Sequence, residues 1–176
     1  MRAPGFRTFK RAIYALLALN LALYALFGTF NQLLDSAAWI VLLVLFEIET
    51  AHGERLTRSR RIAIHLARFA AVAGVLAAAV GYLVDREWLD AINTWLWVAV
   101  VVLLEIEVRY PEAVARRQRL FWACTGTLYA ALGVLVLAWA WRMEWFDAWD
   151  AALWLTAFFA VELNVLERQN GYPATS

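Results

Sequence analysis

Apolar residues gather into six stretches along the chain, near residues 13–30, 33–51, 62–84, 89–108, 120–141 and 148–166, with short polar breaks between them. Each is close to the ~20 residues that a helix rising ~1.5 Å per residue needs to cross ~30 Å of hydrocarbon. None contains proline: Pro4, Pro111 and Pro173 all lie at the ends or in a break. The stretches lack the period-two alternation of membrane barrel strands, and alanine and leucine dominate them, so they predict helices. The first stretch follows Arg2, Arg7, Lys10 and Arg11, as the apolar part of a signal peptide would. No clean small-x-small cleavage site follows it, and it completes the first unit of a repeat, so it is expected to be retained. The expected fold is all-α: a polytopic membrane protein with six transmembrane helices, one membrane domain over residues 1–176.

Composition agrees. Of 176 residues, 64% are apolar and 18% charged, and mean hydropathy is +0.60. Soluble domains are roughly half apolar and a quarter charged. Net charge is only +1, which removes the broad basic surface that nucleic-acid binding needs. The lipid bilayer is the expected partner, and a membrane protein or a second copy of the chain is compatible with it. The single cysteine, Cys124, lies in an apolar run and is expected to pack as a small hydrophobe.

Basic residues set the expected orientation. Fourteen of the sixteen fall on one side of the six spans: Arg2, Arg7, Lys10, Arg11, Arg55, Arg58, Arg60, Arg61, Arg68, Arg109, Arg116, Arg117, Arg119 and Arg168. Arg86 and Arg142 fall on the other. The positive-inside rule then places both termini and the two longer loops in the cytoplasm, in a multi-pass protein of the inner membrane. The opposite turns are short and acidic, with Asp35, Asp85, Glu87, Asp90, Glu144, Asp147 and Asp150. Trp88, Trp139, Trp141 and Trp145 cluster near them, as interfacial tryptophans do.

An internal repeat is the strongest pattern. The second stretch carries Asp35-x3-Trp39-x7-Glu47-x-Glu49, the fourth Asn93-x3-Trp97-x7-Glu105-x-Glu107, and the sixth Asp150-x3-Trp154-x7-Glu162-x-Asn164. Glu87-Trp88-Leu89-Asp90-Ala91 and Glu144-Trp145-Phe146-Asp147-Ala148 precede the last two at the same offset, and the first copy lacks this segment. Three two-helix repeats follow, over 7–55, 56–113 and 114–170. Each holds an even number of helices, so all three share one orientation and are related by an axis along the membrane normal. A pseudo-threefold ring and a row of hairpins both satisfy the pattern.

Small residues mark the odd stretches: Ala15, Ala18, Ala22 and Ala25 in the first; Ala63, Ala67, Ala70, Gly74, Ala78 and Gly81 in the third; Ala123, Gly126, Ala130 and Gly133 in the fifth. Such stripes let helix backbones approach closely in lipid, so all three are expected to be packing faces.

The carboxylates carry the candidate chemistry. Glu47, Glu105 and Glu162 lie twelve residues beyond the Asp35 position, about 18 Å deeper, in the inner leaflet. An ionised side chain at depth costs roughly 2.5–3.5 kcal/mol, less near the interface, so it should face the bundle interior or a wet cavity. Glu49 and Glu107 point about 200° away on the same helices. Glu54 and Glu112 extend the Glu47 and Glu105 face toward the cytoplasm. Arg61, His65 and Arg68 share a face of the third helix, and Arg116 and Arg119 begin the fifth. These cations enter from the carboxylate side and can clamp one hairpin to the next, a role in which buried ion pairs fix register.

Arg68 is the deepest cation, and its expected partners are Glu47, Glu49, Glu105 or Glu107. The third repeat lacks such a cation and has Asn164 where the others have a second Glu. Two function classes follow. The first is a non-catalytic structural or accessory subunit held by a Glu–Arg polar layer of Glu47, Glu49, Glu105, Glu107, Glu162, Asn164, Arg68 and His65. The alternative is a small channel or transporter passing protons or cations along a carboxylate ring. Asn20 is expected to make an interhelical hydrogen bond. Glu49-x-x-His52 matches one half of a di-iron carboxylate motif, which needs two such steps, so no metal or cofactor is expected. Gly-rich phosphate loops, Gly-x-Ser-x-Gly and His-Glu-x-x-His are all missing.

Overall fold

A computed structural model describes the backbone of residues 4–52 and 57–170, and the side chains of 8–49, 57–107 and 109–159. All regular structure within them is helical: α1 Pro4–Phe27, α2 Phe30–His52, α3 Arg58–Val84, α4 Trp88–Arg109, α5 Pro111–Arg116, α6 Gln118–Trp141 and α7 Trp145–Asn170. Among the described residues five helices, α1, α2, α3, α4 and α6, are long and apolar enough to cross a membrane. Large apolar side chains such as Leu26, Phe69, Leu76 and Leu137 are exposed along them, as in a protein solvated by lipid. This is a helical membrane protein.

Local sequence explains the helix ends. α2 begins with a capping box: the Thr29 hydroxyl accepts from the Gln32 backbone N–H at 3.3 Å, and the Gln32 side chain accepts from the Thr29 N–H at 2.9 Å. α3 and α6 end in Schellman turns. Glu87 N–H donates to the Tyr82 carbonyl and Glu144 N–H to the Trp139 carbonyl, both at 2.9 Å, which satisfies carbonyls left open at the helix end. The residue after each cap, Arg86 or Met143, is left-handed. The break before the fifth apolar stretch is more than a loop. Pro111 takes the first position of α5, where its missing N–H costs nothing.

The described residues fall into two compact units, those within 20–102, and those within 4–19 together with 103–170. In the first, α2 packs against α3. A Cβ on Gly74 would sit 3.3 Å from the Ala38 Cβ, and one on Gly81 would strike the Asn31 side chain. The small stripe of α3 is thus a true packing face in its Gly74, Ala78 and Gly81 part. Ala78, Tyr82 and Ala91, with Leu34 against them, form a core from α2, α3 and α4. In the second unit α6 packs against α7; Leu132, Leu135, Trp139, Ala148, Ala151, Trp154 and Ala157 are buried.

The other stripes behave differently. Ala15, Ala18, Ala22 and Ala25 are exposed, and α1 instead buries Ile13, Leu17, Asn20 and Tyr24. That face offers larger contact area, which outweighs the closer approach that alanine permits. On α6, Ala123, Gly126 and Ala130 are exposed, and nothing lies within 4 Å of a Cβ placed on Gly126 or Gly133. Cys124 is exposed too, not packed. Trp139 is a core residue at 2% exposure, whereas Trp88, Trp141 and Trp145 are exposed beside the turns. Its indole fills the α6 face that also carries Leu132 and Leu135, so it belongs to the bundle and not to the interfacial belt.

Candidate functional site

The Asn20–Val102 unit holds two polar layers. The first lies toward the α3–α4 turn. The Thr94 hydroxyl of α4 donates to Asp35 Oδ2 of α2 at 3.1 Å, and Thr94 is fully buried. One helical turn on, Trp39 and Trp97 meet with ring centroids 6.5 Å apart and planes tilted by 59°. Asn31 Nδ2 donates to Asp85 Oδ2 at 2.7 Å, tying the start of α2 to the end of α3. Asn20 and Ser36 are also buried. The Trp39 indole N–H and Asn93 Oδ1 are buried without a hydrogen-bond partner among the described residues.

The second layer lies toward the α2–α3 loop. A guanidinium nitrogen of Arg68 on α3 hydrogen-bonds Glu49 Oε2 on α2, forming an ion pair between the two helices. Helix geometry explains the choice of partner. From the Ala38–Gly74 contact, six residues toward the loop on each helix bring Val44 level with Arg68. Glu49 is five residues beyond Val44, about 7.5 Å nearer the loop. Side chains lean toward their own helix N-terminus. In an antiparallel pair, Arg68 therefore leans toward the loop and Glu49 away from it, and the two meet between.

The remaining expected residues fall apart from this pair. Glu47 is half-buried and engaged in an interaction of its own. His65 and Arg61, on the Arg68 face of α3, are exposed. In the second unit Glu105 pairs with Arg109 one turn along the same helix, with both side chains more than half exposed, a pairing worth only a few tenths of a kcal/mol, about 0.3–0.5. Glu107 and Glu112 are exposed. Arg116 and Arg119 are exposed and form no ion pair among the described residues. Glu162 and Asn164, with His52 and Glu54, lie outside the residues whose side chains are described. No three His, Cys, Asp or Glu side chains converge among the described residues.

Some equivalent positions of the sequence pattern share an environment, although Glu47 and Glu49 are half-buried where Glu105 and Glu107 are exposed. Trp39, Trp97 and Trp154 are all buried, as are Ser36, Thr94 and Ala151, while Trp88 and Trp145 are both exposed. Thr94 and Ser36 are the polar residues the carboxylate pattern overlooks. Their signal is the column after Asp35, Asn93 and Asp150, which is small throughout. Comparison of the chain with family models, with curated proteins and with solved structures found no match.

Proposed function

We propose that this chain is a non-catalytic integral membrane protein, a structural or accessory component of the cytoplasmic membrane, whose polar contacts lock helix to helix. The Arg68–Glu49 ion pair carries the reading. It joins two helices whose backbones already approach through Gly74 and Gly81, and it offsets the charge of the deepest cation in the sequence. Of the expected carboxylate set, Glu105 is spent on its own helix and Glu107 is exposed, which favours a clamp over a conducting ring.

The proposal includes three same-orientation hairpins over 7–55, 56–113 and 114–170, related by an axis along the membrane normal, with both termini cytoplasmic. Matching burial of Trp39, Trp97 and Trp154 supports it, as do the twin turns at Arg86 and Met143. The test is a double-mutant cycle in detergent. Arg68→Ala should lower stability by roughly 1–3 kcal/mol, because a carboxylate loses a charged hydrogen-bond partner. Adding Glu49→Gln should recover part of that loss. If proteoliposomes instead pass protons or sodium ions faster than empty liposomes, and Glu47→Gln abolishes the flux, the accessory reading fails and the conducting one replaces it.

A further inference from the structure

We propose that the α5–α6 junction binds an anionic phospholipid, its phosphate held by Arg116, Arg117 and Arg119 and one acyl chain lying along the exposed small-residue face of α6. This site extends the membrane reading and is independent of the Glu–Arg clamp. Arg116 ends α5, Arg117 links it to α6, and Arg119 stands in the first turn of α6. All three are exposed and have no acidic partner among the described residues. That separates them from Arg68, Arg109 and Arg142, each paired with a glutamate. Even Glu112, four residues before Arg116, is not paired with it. Three open guanidiniums within four residues suit a phosphate, which takes the planar fork two oxygens at a time.

The surroundings supply the rest of a lipid. In α5 the helical repeat gathers Pro111, Val114 and Ala115 on one side and Glu112 and Arg116 on the other, as in a helix lying in the headgroup plane. Leu120 and Trp122 are exposed directly after the arginines, at the depth where amphipathic rings collect. The helix face that begins with Arg119 continues through Trp122, Ala123, Gly126, Ala130 and Gly133. A Cβ at Gly126 or Gly133 would meet nothing within 4 Å, so this face is an open shallow groove below the basic cluster. One leaflet is about 15 Å deep, the rise from Arg119 to near Ala130. The matching face of α3, one repeat earlier, carries bulky, exposed Leu66, Phe69 and Leu76 where α6 has Ala123, Gly126 and Gly133. The groove below Arg116, Arg117 and Arg119 thus has no counterpart below Arg58, Arg60 and Arg61, which are also exposed and without an acidic partner among the described residues.

Native mass spectrometry of the full chain in detergent tests this, with phosphatidylglycerol and phosphatidylcholine of the same acyl chains as probes. Wild type should retain phosphatidylglycerol in preference to phosphatidylcholine. Replacing Arg116, Arg117 and Arg119 together by Gln should lower that preference about a hundredfold, since each arginine near an anionic headgroup contributes about a factor of five. Gly126→Leu, which fills the groove, should lower retention with the arginines intact. Replacing Arg58, Arg60 and Arg61 by Gln removes the same charge from the start of α3 and should leave the preference standing. An equal loss in that control, or no preference in wild type, overturns the site. Displacement by millimolar inorganic phosphate alone would assign a small-anion site instead, and dimers abolished by Gly126→Leu would assign the groove to a second copy; either result overturns the lipid proposal.

Discussion

Arg86 and Met143 adopt the same left-handed backbone, with φ of 61° and 63°, at the close of α3 and α6. Both follow the cap of a Schellman turn, a position that glycine prefers because a Cβ crowds the next carbonyl. Arg86→Gly and Met143→Gly are each expected to raise stability by about 1 kcal/mol. Thermal unfolding in detergent reads the change, and a loss at both positions would show that the side chains hold these turns.

Glycine should have the opposite effect at two other places. Gly81→Ala drives a Cβ into Asn31, whose amide holds Asp85 at 2.7 Å, and should cost about 1–3 kcal/mol. Gly126→Ala meets open space and should gain about 0.5–1 kcal/mol from helix propensity. The pair measured side by side distinguishes a glycine required for the close approach of two helices from one that is not. Equal effects would contradict the α2–α3 packing.

Thr94 is fully buried and gives its hydroxyl proton to Asp35. Thr94→Val keeps the shape and removes the donor, so stability should fall by about 1–3 kcal/mol. Thr94→Ser keeps the hydroxyl and should retain more of the stability than Thr94→Val. If Val and Ser behave alike, the loss is one of packing and the hydrogen bond contributes nothing.

Orientation can be read by thiol labelling in a Cys124→Ala background. Met143 and Ser59 are both exposed, at opposite ends of their hairpins. A cysteine at Met143 should react with an impermeant maleimide in intact cells, and one at Ser59 only after lysis. The reverse pattern would invert the topology drawn from the arginines.

Much of the fold is legible in the chain. The apolar stretches agree with the long helices, and Thr29-x-x-Gln32 and Pro111 mark two helix starts by residue type alone. The Gly74, Ala78 and Gly81 part of the α3 stripe is readable as a packing face, whereas Ala63 and Ala70 of the same stripe are exposed. The stripes of α1 and α6 are not readable as such, because alanine and glycine allow close approach without requiring it. The candidate site was half legible: Arg68 and its four possible partners stood out by depth, but Thr94 did not, since one buried hydroxyl leaves no mark on hydropathy.

Helicity and span length follow from the sequence because a bilayer offers backbone amides no partner, so each apolar stretch must satisfy its own hydrogen bonds. Which face of each helix is buried needed the tertiary structure. Lipid and protein interior are equally apolar, so hydropathy does not separate Leu17, which is buried, from Leu19, which is exposed. The choice of Glu49 for Arg68 was likewise tertiary. It depends on the antiparallel register set at Ala38 and Gly74, and on the opposite lean of side chains from the two helices.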